Sequence, residues 1–185
     1  MAEIPSRCEL DLGSLLLRPW RRTDAPALAE AAQASLESVG AWLPWCHPGY
    51  GLEDANAWID HCTSAWTNGS HYAFGIFERA TDRLLGSAGL SQFNPLHRYA
   101  NLGYWIRQSA QRQGIATRAA RAVAHFGFQQ LALVRIEIVV LPDNHASRRT
   151  AEKAGACFEA IARQRLYVGS TSCDAAVYAL IPSDL

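Results

Sequence analysis

The stretch LGYWIRQSAQRQGIAT, Leu102 to Thr117, decides the fold, because it holds a strand, a loop and a helix start in succession. Leu102–Ile106 is apolar and aromatic, as strands are. Arg107–Gln113 is polar, and a long helical pattern runs from Thr117 to Leu131. A strand that feeds a glycine-bearing loop at a helix start is a ready anion site. The first-turn amides there lack intrahelical partners, and the helix dipole is positive at that end. Gly114 lets the backbone approach a bulky phosphate, Ala116 keeps the next turn narrow, and Arg112 and Arg118 add charge. A glycine serving only a tight strand–helix turn is the structural alternative.

The anion is narrowed by elimination. A Walker A loop needs Gly-Lys-Ser/Thr, and Lys153 is the only lysine in the chain. The dinucleotide fingerprint needs G-x-G-x-x-G, which is also absent. What remains is Gln111-x-x-Gly114-x-Ala116, a pattern that is soft by itself.

Outward from this centre the chain alternates between strand and helix signals. Ser14–Trp20 reads as a strand, Thr23-Asp24 as an N-cap, and the Ala/Leu-rich segment to Ser38 as a helix. Ala41–Tyr50 is loop-like, and Glu53–Trp66 is helical up to Asn68-Gly69. His71–Phe77 and Leu84–Phe93 read as strands. Beyond the central motif, Val134–Leu141 is a near-continuous apolar strand of the kind buried on both faces. Pro142-Asp143-Asn144 breaks it, Ala146–Ala154 is helical, and Cys157–Val168 and Ala175–Ile181 are the last strands. The order predicts one α/β (α+β) domain over residues 1–185, a mixed sheet of seven strands with helices on its faces.

Composition excludes several function classes. The 17 basic and 17 acidic residues balance, whereas a general nucleic-acid binder carries a basic excess. The five cysteines (Cys8, Cys46, Cys62, Cys157, Cys173) form no C-x-x-C pair, so neither a zinc site nor a disulfide framework is expected. Met1–Cys8 does not read as a signal peptide, and no apolar run reaches the ~20 residues of a membrane helix. The expected compartment is a reducing cytoplasm, with no membrane and no metal.

The central motif gains meaning from two segments downstream: Pro142-Asp143-Asn144-His145-Ala146-Ser147, then Glu152-Lys153-Ala154-Gly155. Together with Leu16-Arg18-Pro19, Thr23-Asp24, Ala41-Trp42-Leu43-Pro44-Trp45, Gly103-Tyr104-Trp105-Ile106, and Asp174 with Tyr178, this order resembles the GNAT acetyltransferase superfamily. Within it, the chain resembles the RimJ/RimL type that acetylates ribosomal-protein N-termini. The resemblance runs from about Leu15 to Leu180.

The resemblance implies a mostly antiparallel seven-stranded sheet splayed between its fourth strand, Leu102–Ile106, and its fifth, Arg135–Leu141. It implies acetyl-CoA as cosubstrate, with the pantetheine arm in the gap against backbone around Trp105, Ile106 and Arg107. The pyrophosphate would lie on the loop Gln111, Arg112, Gln113, Gly114, Ile115, Ala116 and Thr117, with Asn144 at the pantetheine. Such a gap exposes unpaired backbone groups, which an extended amide-bearing ligand satisfies.

The same resemblance assigns the chemistry. The amine attacks the thioester directly, and the Ile106 N–H stabilises the oxyanion. Many members use a tyrosine as thiolate donor where Ala151 stands here, and RimL-type members place a serine where Ser147 stands. Ser147 is the expected thiolate partner; helix capping is its alternative role. RimL-type members carry a glutamate base where Leu166 falls, beside Tyr167, and another acidic position corresponds to Asn101. Trp42, Trp45, Asn101 and Tyr167 are the expected acceptor-binding residues, with core packing as the alternative for the two tryptophans. His71, His97 and His145 lie at element edges near the expected cleft, where single histidines also serve as caps or surface residues.

Without a base, an acceptor of low pKa is favoured. Deprotonating an α-amine of pKa near 8 at pH 7 costs about 1.4 kcal/mol, against about 4.6 kcal/mol for lysine. The expected acceptor is therefore a protein or peptide N-terminus. A small-molecule amine acetyltransferase and a non-catalytic acyl-CoA-binding module remain alternatives, and RimL-like proteins often pair as homodimers.

Overall fold

In the computed structural model, which describes residues 8–185, eight strands form one sheet. They are β1 (Leu10–Asp11), β2 (Leu15–Pro19), β3 (Tyr72–Glu78), β4 (Leu84–Asn94), β5 (Tyr99–Ile106), β6 (Arg135–Val140), β7 (Cys157–Val168) and β8 (Thr171–Leu180). Their spatial order is β1-β2-β3-β4-β5-β6-β8-β7. Every neighbouring pair is antiparallel except β5 and β6, which run parallel. The helices are α1 (Ala25–Gln33), α2 (Leu52–Asn68), α3 (Ile115–Gln130) and α4 (His145–Ala154).

The sheet has eight strands rather than the expected seven. The addition is β1, whose two residues pair with Leu16 and Leu17 and are too few to carry an alternation in the sequence. The expected fourth and fifth strands are accordingly β5 and β6. Apart from Cys8, the Met1–Cys8 segment read as no signal peptide lies outside the described residues. Among those residues no helix is long and apolar enough to cross a membrane, and no three His, Cys, Asp or Glu side chains group to hold a metal. All five cysteines are free thiols.

Alternation along the strands feeds two apolar layers, one on each side of the sheet. Phe74, Ile76, Leu90, Leu102, Ile136, Ile138 and Tyr178 join Ala119, Ala120, Val123 and Phe126 of α3 and Ala151 and Ala154 of α4. Ala73, Phe77 and Leu84 join Leu28, Ala31 and Ala32 of α1 and Ala55, Ile59 and Cys62 of α2. With both sides covered, the first six residues of β3 and the first seven of β4 are buried throughout. β6 instead alternates: Ile136, Ile138 and Val140 are buried and Arg135, Glu137 and Val139 only half-buried, so the expected burial on both faces does not hold for it.

The N-terminal helix is shorter than expected, ending at Gln33, and Asp24 does not cap it with its side chain. The carboxylate is spent elsewhere. Its two oxygens take a bidentate pair from Arg18 (2.7 and 2.9 Å), and Oδ2 also accepts the Arg21 N–H (2.8 Å). Arg18 lies over the Phe77 ring at 3.7 Å, so strand, turn and core are tied at one buried charge pair.

Candidate active site

The sheet parts in the middle. β5 and β6 are paired only over Tyr99↔Arg135, Ala100↔Ile136 and Asn101↔Glu137, although β5 continues to Ile106 and β6 to Val140. On its other side β5 stays paired with β4 as far as Gly86↔Ile106, and β6 stays paired with β8. The Arg107 N–H donates to Leu85 O (2.8 Å), so alternate residues Trp105 and Gly103 also turn their peptide groups to β4. The peptide groups of Leu102, Tyr104 and Ile106 consequently face the gap. Of the three backbone positions expected to meet a ligand, only Ile106 faces it; Trp105 and Arg107 spend their amides inside the sheet. A ladder of Arg135, Glu137, Glu159 and Arg165 side chains clasps the closed end.

At the open end lies the start of α3. Gly114 is its N-cap, with φ 73°, a left-handed conformation that glycine adopts without penalty. A Cβ built there would meet nothing within 4 Å, so the space above it is open. The first bond of the helix runs from Arg118 N–H to Gly114 O (3.1 Å), leaving the preceding first-turn amides without an intrahelical acceptor. Arg112 is also left-handed, with φ 63°. Gln111, Arg112, Gly114, Ile115, Ala116 and Thr117 line a cleft of about 1500 Å³ together with Trp105 and Ile106. Gln113 does not line it; its amide reaches back to Ser109 O at 3.5 Å.

The loop between β5 and α3 is braced from α1 and the turns after it. Arg107 is buried, and its guanidinium bonds Glu30 (2.7 Å), Leu84 O (3.2 Å) and Ser109 Oγ (3.2 Å), so its side chain is not in the cleft. Ser35 Oγ accepts the Gln108 N–H at 3.1 Å. Gln111 Nε2 donates to Ser38 Oγ and to Ile106 O, both at 3.0 Å. Gln111, expected as a ligand contact, is a strut between the loop and the cleft wall.

On the β6 side, Asn144 and Ser147 both line the cleft. Asn144 caps α4, its Oδ1 accepting the Ser147 N–H at 3.0 Å, which leaves its Nδ2 for other partners. Ser147 Oγ lies 3.1 Å from the hydroxyl of Tyr104, which is also 3.0 Å from Ser147 O. Burial pushes the Tyr104 phenol up to about 12, so it stays protonated. Tyr104 lies in the cleft although the sequence does not single its side chain out. Its motif was legible, but a partner 43 residues away was not.

The remaining wall belongs to the loop before α2 and to α2 itself. Trp42 and Trp45 line the cleft, with Trp45 edge-on to both Trp105 and Tyr50 at 5.4 Å between ring centroids. Trp58, His61 and His71 form an aromatic cluster on the same wall. Burial, and then the nearby His61, hold the His71 pKa down to about 4. His145 and His97 are not among the lining residues. Asn101 lines the cleft, and its Oδ1 is buried with no hydrogen-bond partner among the described residues. Tyr167 does not line the cleft: it is 74% exposed, while its neighbours Leu166 and Val168 face in. The cause is a bulge in β7 between Ala162 and Leu166, which shifts the register against β8 and fixes which residues turn inward.

A family model described as the acetyltransferase (GNAT) domain matches residues 14–156. YdaF of Bacillus subtilis, named provisionally as a ribosomal N-acetyltransferase, is 34% identical over 169 residues, 90% of this chain and 91% of its own. A Vibrio cholerae structure, named provisionally as a ribosomal-protein-serine acetyltransferase, superposes with a TM-score of 0.87 at 30% identity, covering 97% of this chain and 100% of that one. A RimL structure solved with coenzyme A shares the fold at 22% identity, with a TM-score of 0.85 and coverage of 94% and 98%.

Proposed function

The chain belongs to the GNAT acetyltransferase family, and from that premise we propose that it moves acetyl from acetyl-CoA directly to the α-amine of a protein or peptide N-terminus. The observation that carries this reading is the parting of β5 and β6 with a bare helix start at its mouth and an aromatic groove in the same cleft. The cleft volume, about 1500 Å³, exceeds the ~300–1,000 Å³ usual for one small ligand and suits a cosubstrate arm with an acceptor beside it.

In this reading the amides from Arg112 to Thr117 hold the pyrophosphate, aided by the helix dipole. The pantetheine arm runs along β5 as an added strand, using gap-facing groups at Tyr104 and Ile106 and the free Nδ2 of Asn144. Trp42, Trp45 and Asn101 receive the acceptor, the buried and unpartnered Asn101 Oδ1 reaching an acceptor N–H by a turn of its side chain into the cleft. The Ile106 N–H donates to the developing oxyanion, and Ser147 Oγ donates a hydrogen bond to the departing thiolate.

The α-amine is favoured because neither expected base position carries a carboxylate: Leu166 and Asn101 stand there. Leu166, at the position of the expected glutamate, lines the cleft as an apolar side chain. Asp54 is engaged, its Oδ2 accepting the Gly51 N–H at 2.8 Å. His71, held to about 4, is a feeble base at neutral pH. An acceptor that is partly neutral by itself suits such a site. The names of YdaF and the Vibrio cholerae protein support a ribosomal protein as the acceptor.

The test is acetyl-CoA with peptides bearing free N-termini, N-terminally blocked lysine peptides and small amines, scored by thiol release and mass spectrometry. Acetylation of free N-termini is expected. Turnover confined to small amines or to lysine side chains would overturn the reading, and binding without thiol release would favour an acyl-CoA-binding module.

A further inference from the structure

The tyrosine that the family resemblance places on the helix after β6 falls at Ala151, which is fully buried and has no hydroxyl. A phenol nonetheless reaches the same helix from the opposite direction. Tyr104 projects from β5 across the gap, and its hydroxyl lies 3.1 Å from Ser147 Oγ and 3.0 Å from Ser147 O. Both side chains line the cleft. The next hydroxyl, on Tyr178, is held by Arg148 Nε (3.0 Å) and Glu152 Oε1 (3.0 Å) and so does not compete for Ser147.

Two hydroxyls in this geometry have two arrangements. If the phenol donates to Ser147 O, the serine hydrogen is free to turn to the phenol oxygen, and Ser147 then offers the cleft only lone pairs. If the phenol donates to Ser147 Oγ, the serine hydrogen is released into the cleft. Exchange needs only rotation about two C–O bonds. A departing thiolate needs that hydrogen in the cleft, which only the second arrangement enforces.

We propose that Tyr104 is a positioning residue for the transfer, donating to Ser147 Oγ so that the serine hydrogen points at the sulfur as the C–S bond breaks. The inference rests on the reading of Ser147 given above. The acceptor nitrogen forms its bond to the carbonyl carbon, and the C–S electron pair goes to sulfur. Sulfur gains one proton and nitrogen sheds one, exchanged through solvent. Tyr104 and Ser147 begin and end the cycle protonated. A phenol raised to about 12 keeps its hydrogen across the pH range in which α-amines lose their proton, around 8.

The test compares Tyr104→Phe, Ser147→Ala and the double variant in kcat, in KM for acetyl-CoA and in acetyl-CoA affinity by calorimetry. Tyr104→Phe keeps the ring in place, and retained affinity reports an intact cleft. We expect Tyr104→Phe to lower kcat by about tenfold with acetyl-CoA affinity unchanged. The double variant should be no slower than Ser147→Ala, because the two hydroxyls act as one unit. Losses that multiply in the double variant, or a Tyr104→Phe loss that appears as weaker affinity, would overturn the inference. If Ser147→Ala alone slows kcat while Tyr104→Phe does not, only the Tyr104 assignment falls. If Ser147→Ala leaves kcat intact, the role given to Ser147 falls as well.

Discussion

Gly114 carries its function in what it lacks. The space around its missing Cβ is open, so only its left-handed backbone resists a side chain, at about 1–2 kcal/mol. Gly114→Ala should fold and keep most of its acetyl-CoA affinity. Gly114→Asp should bind roughly tenfold more weakly than the alanine variant, because its carboxylate occupies the anion's place at the helix start. Calorimetry separates the two, and equal affinities would remove the pyrophosphate from this loop. His71 makes a second prediction. Its folded pKa, about 4, lies below the ~6.5 of an unfolded histidine. In that window the unfolded chain binds a proton that the folded one refuses, so stability should fall as pH drops from about 6.5 toward 4. His71→Gln should flatten this slope in denaturant midpoints taken across the window; an undiminished slope would assign it to another group.

Among the elements, β4 does most to keep β5 in place. At Gly86 the two backbones approach so closely that a Cβ would lie 2.2 Å from Trp105 O and 2.9 Å from Ile106 Cα. Gly86→Ala must push β5 toward the gap. We expect about 1–3 kcal/mol of destabilisation, measured by urea unfolding, with weaker acetyl-CoA binding; unchanged unfolding would mean the strands give way freely. The strand–loop–helix run around Gly114 was legible because its signals are local: a strand period, a glycine, then a helical period. β6 was legible as a strand from Ile136, Ile138 and Val140, which face α3 and α4, but the ion-paired Arg135 and Glu137 keep its other face polar at the closed end. What escaped the sequence is what distant segments do. The side chains of Arg107 and Gln111 act as braces because their partners Glu30 and Ser38 lie 77 and 73 residues earlier, although Gln111 still lines the cleft. Tyr167 was misplaced for a related reason. A bulge sets which β7 side chains turn inward, and nothing in the residues from Arg163 to Tyr167 announces it.

For the molecule as a whole, the lack of a carboxylate at either expected base position, Leu166 and Asn101, passes the protonation problem to the acceptor. With an α-amine peptide, kcat/KM should climb about tenfold per pH unit and level off near 8. A lysine acceptor, if used at all, should keep climbing toward about 10.4. A limb near 6–7 that persists with every acceptor would reveal a titrating enzyme group and undo the base-free reading. The lone lysine of the sequence, Lys153, is exposed and stands on the wall of the cleft. An amine-directed fluorophore, applied to a preparation whose terminal amine is blocked, will therefore attach at one address beside the reaction chamber. The protein thus comes with its own reporter position, where a dye's emission can register arrivals and departures in the chamber without any engineered cysteine.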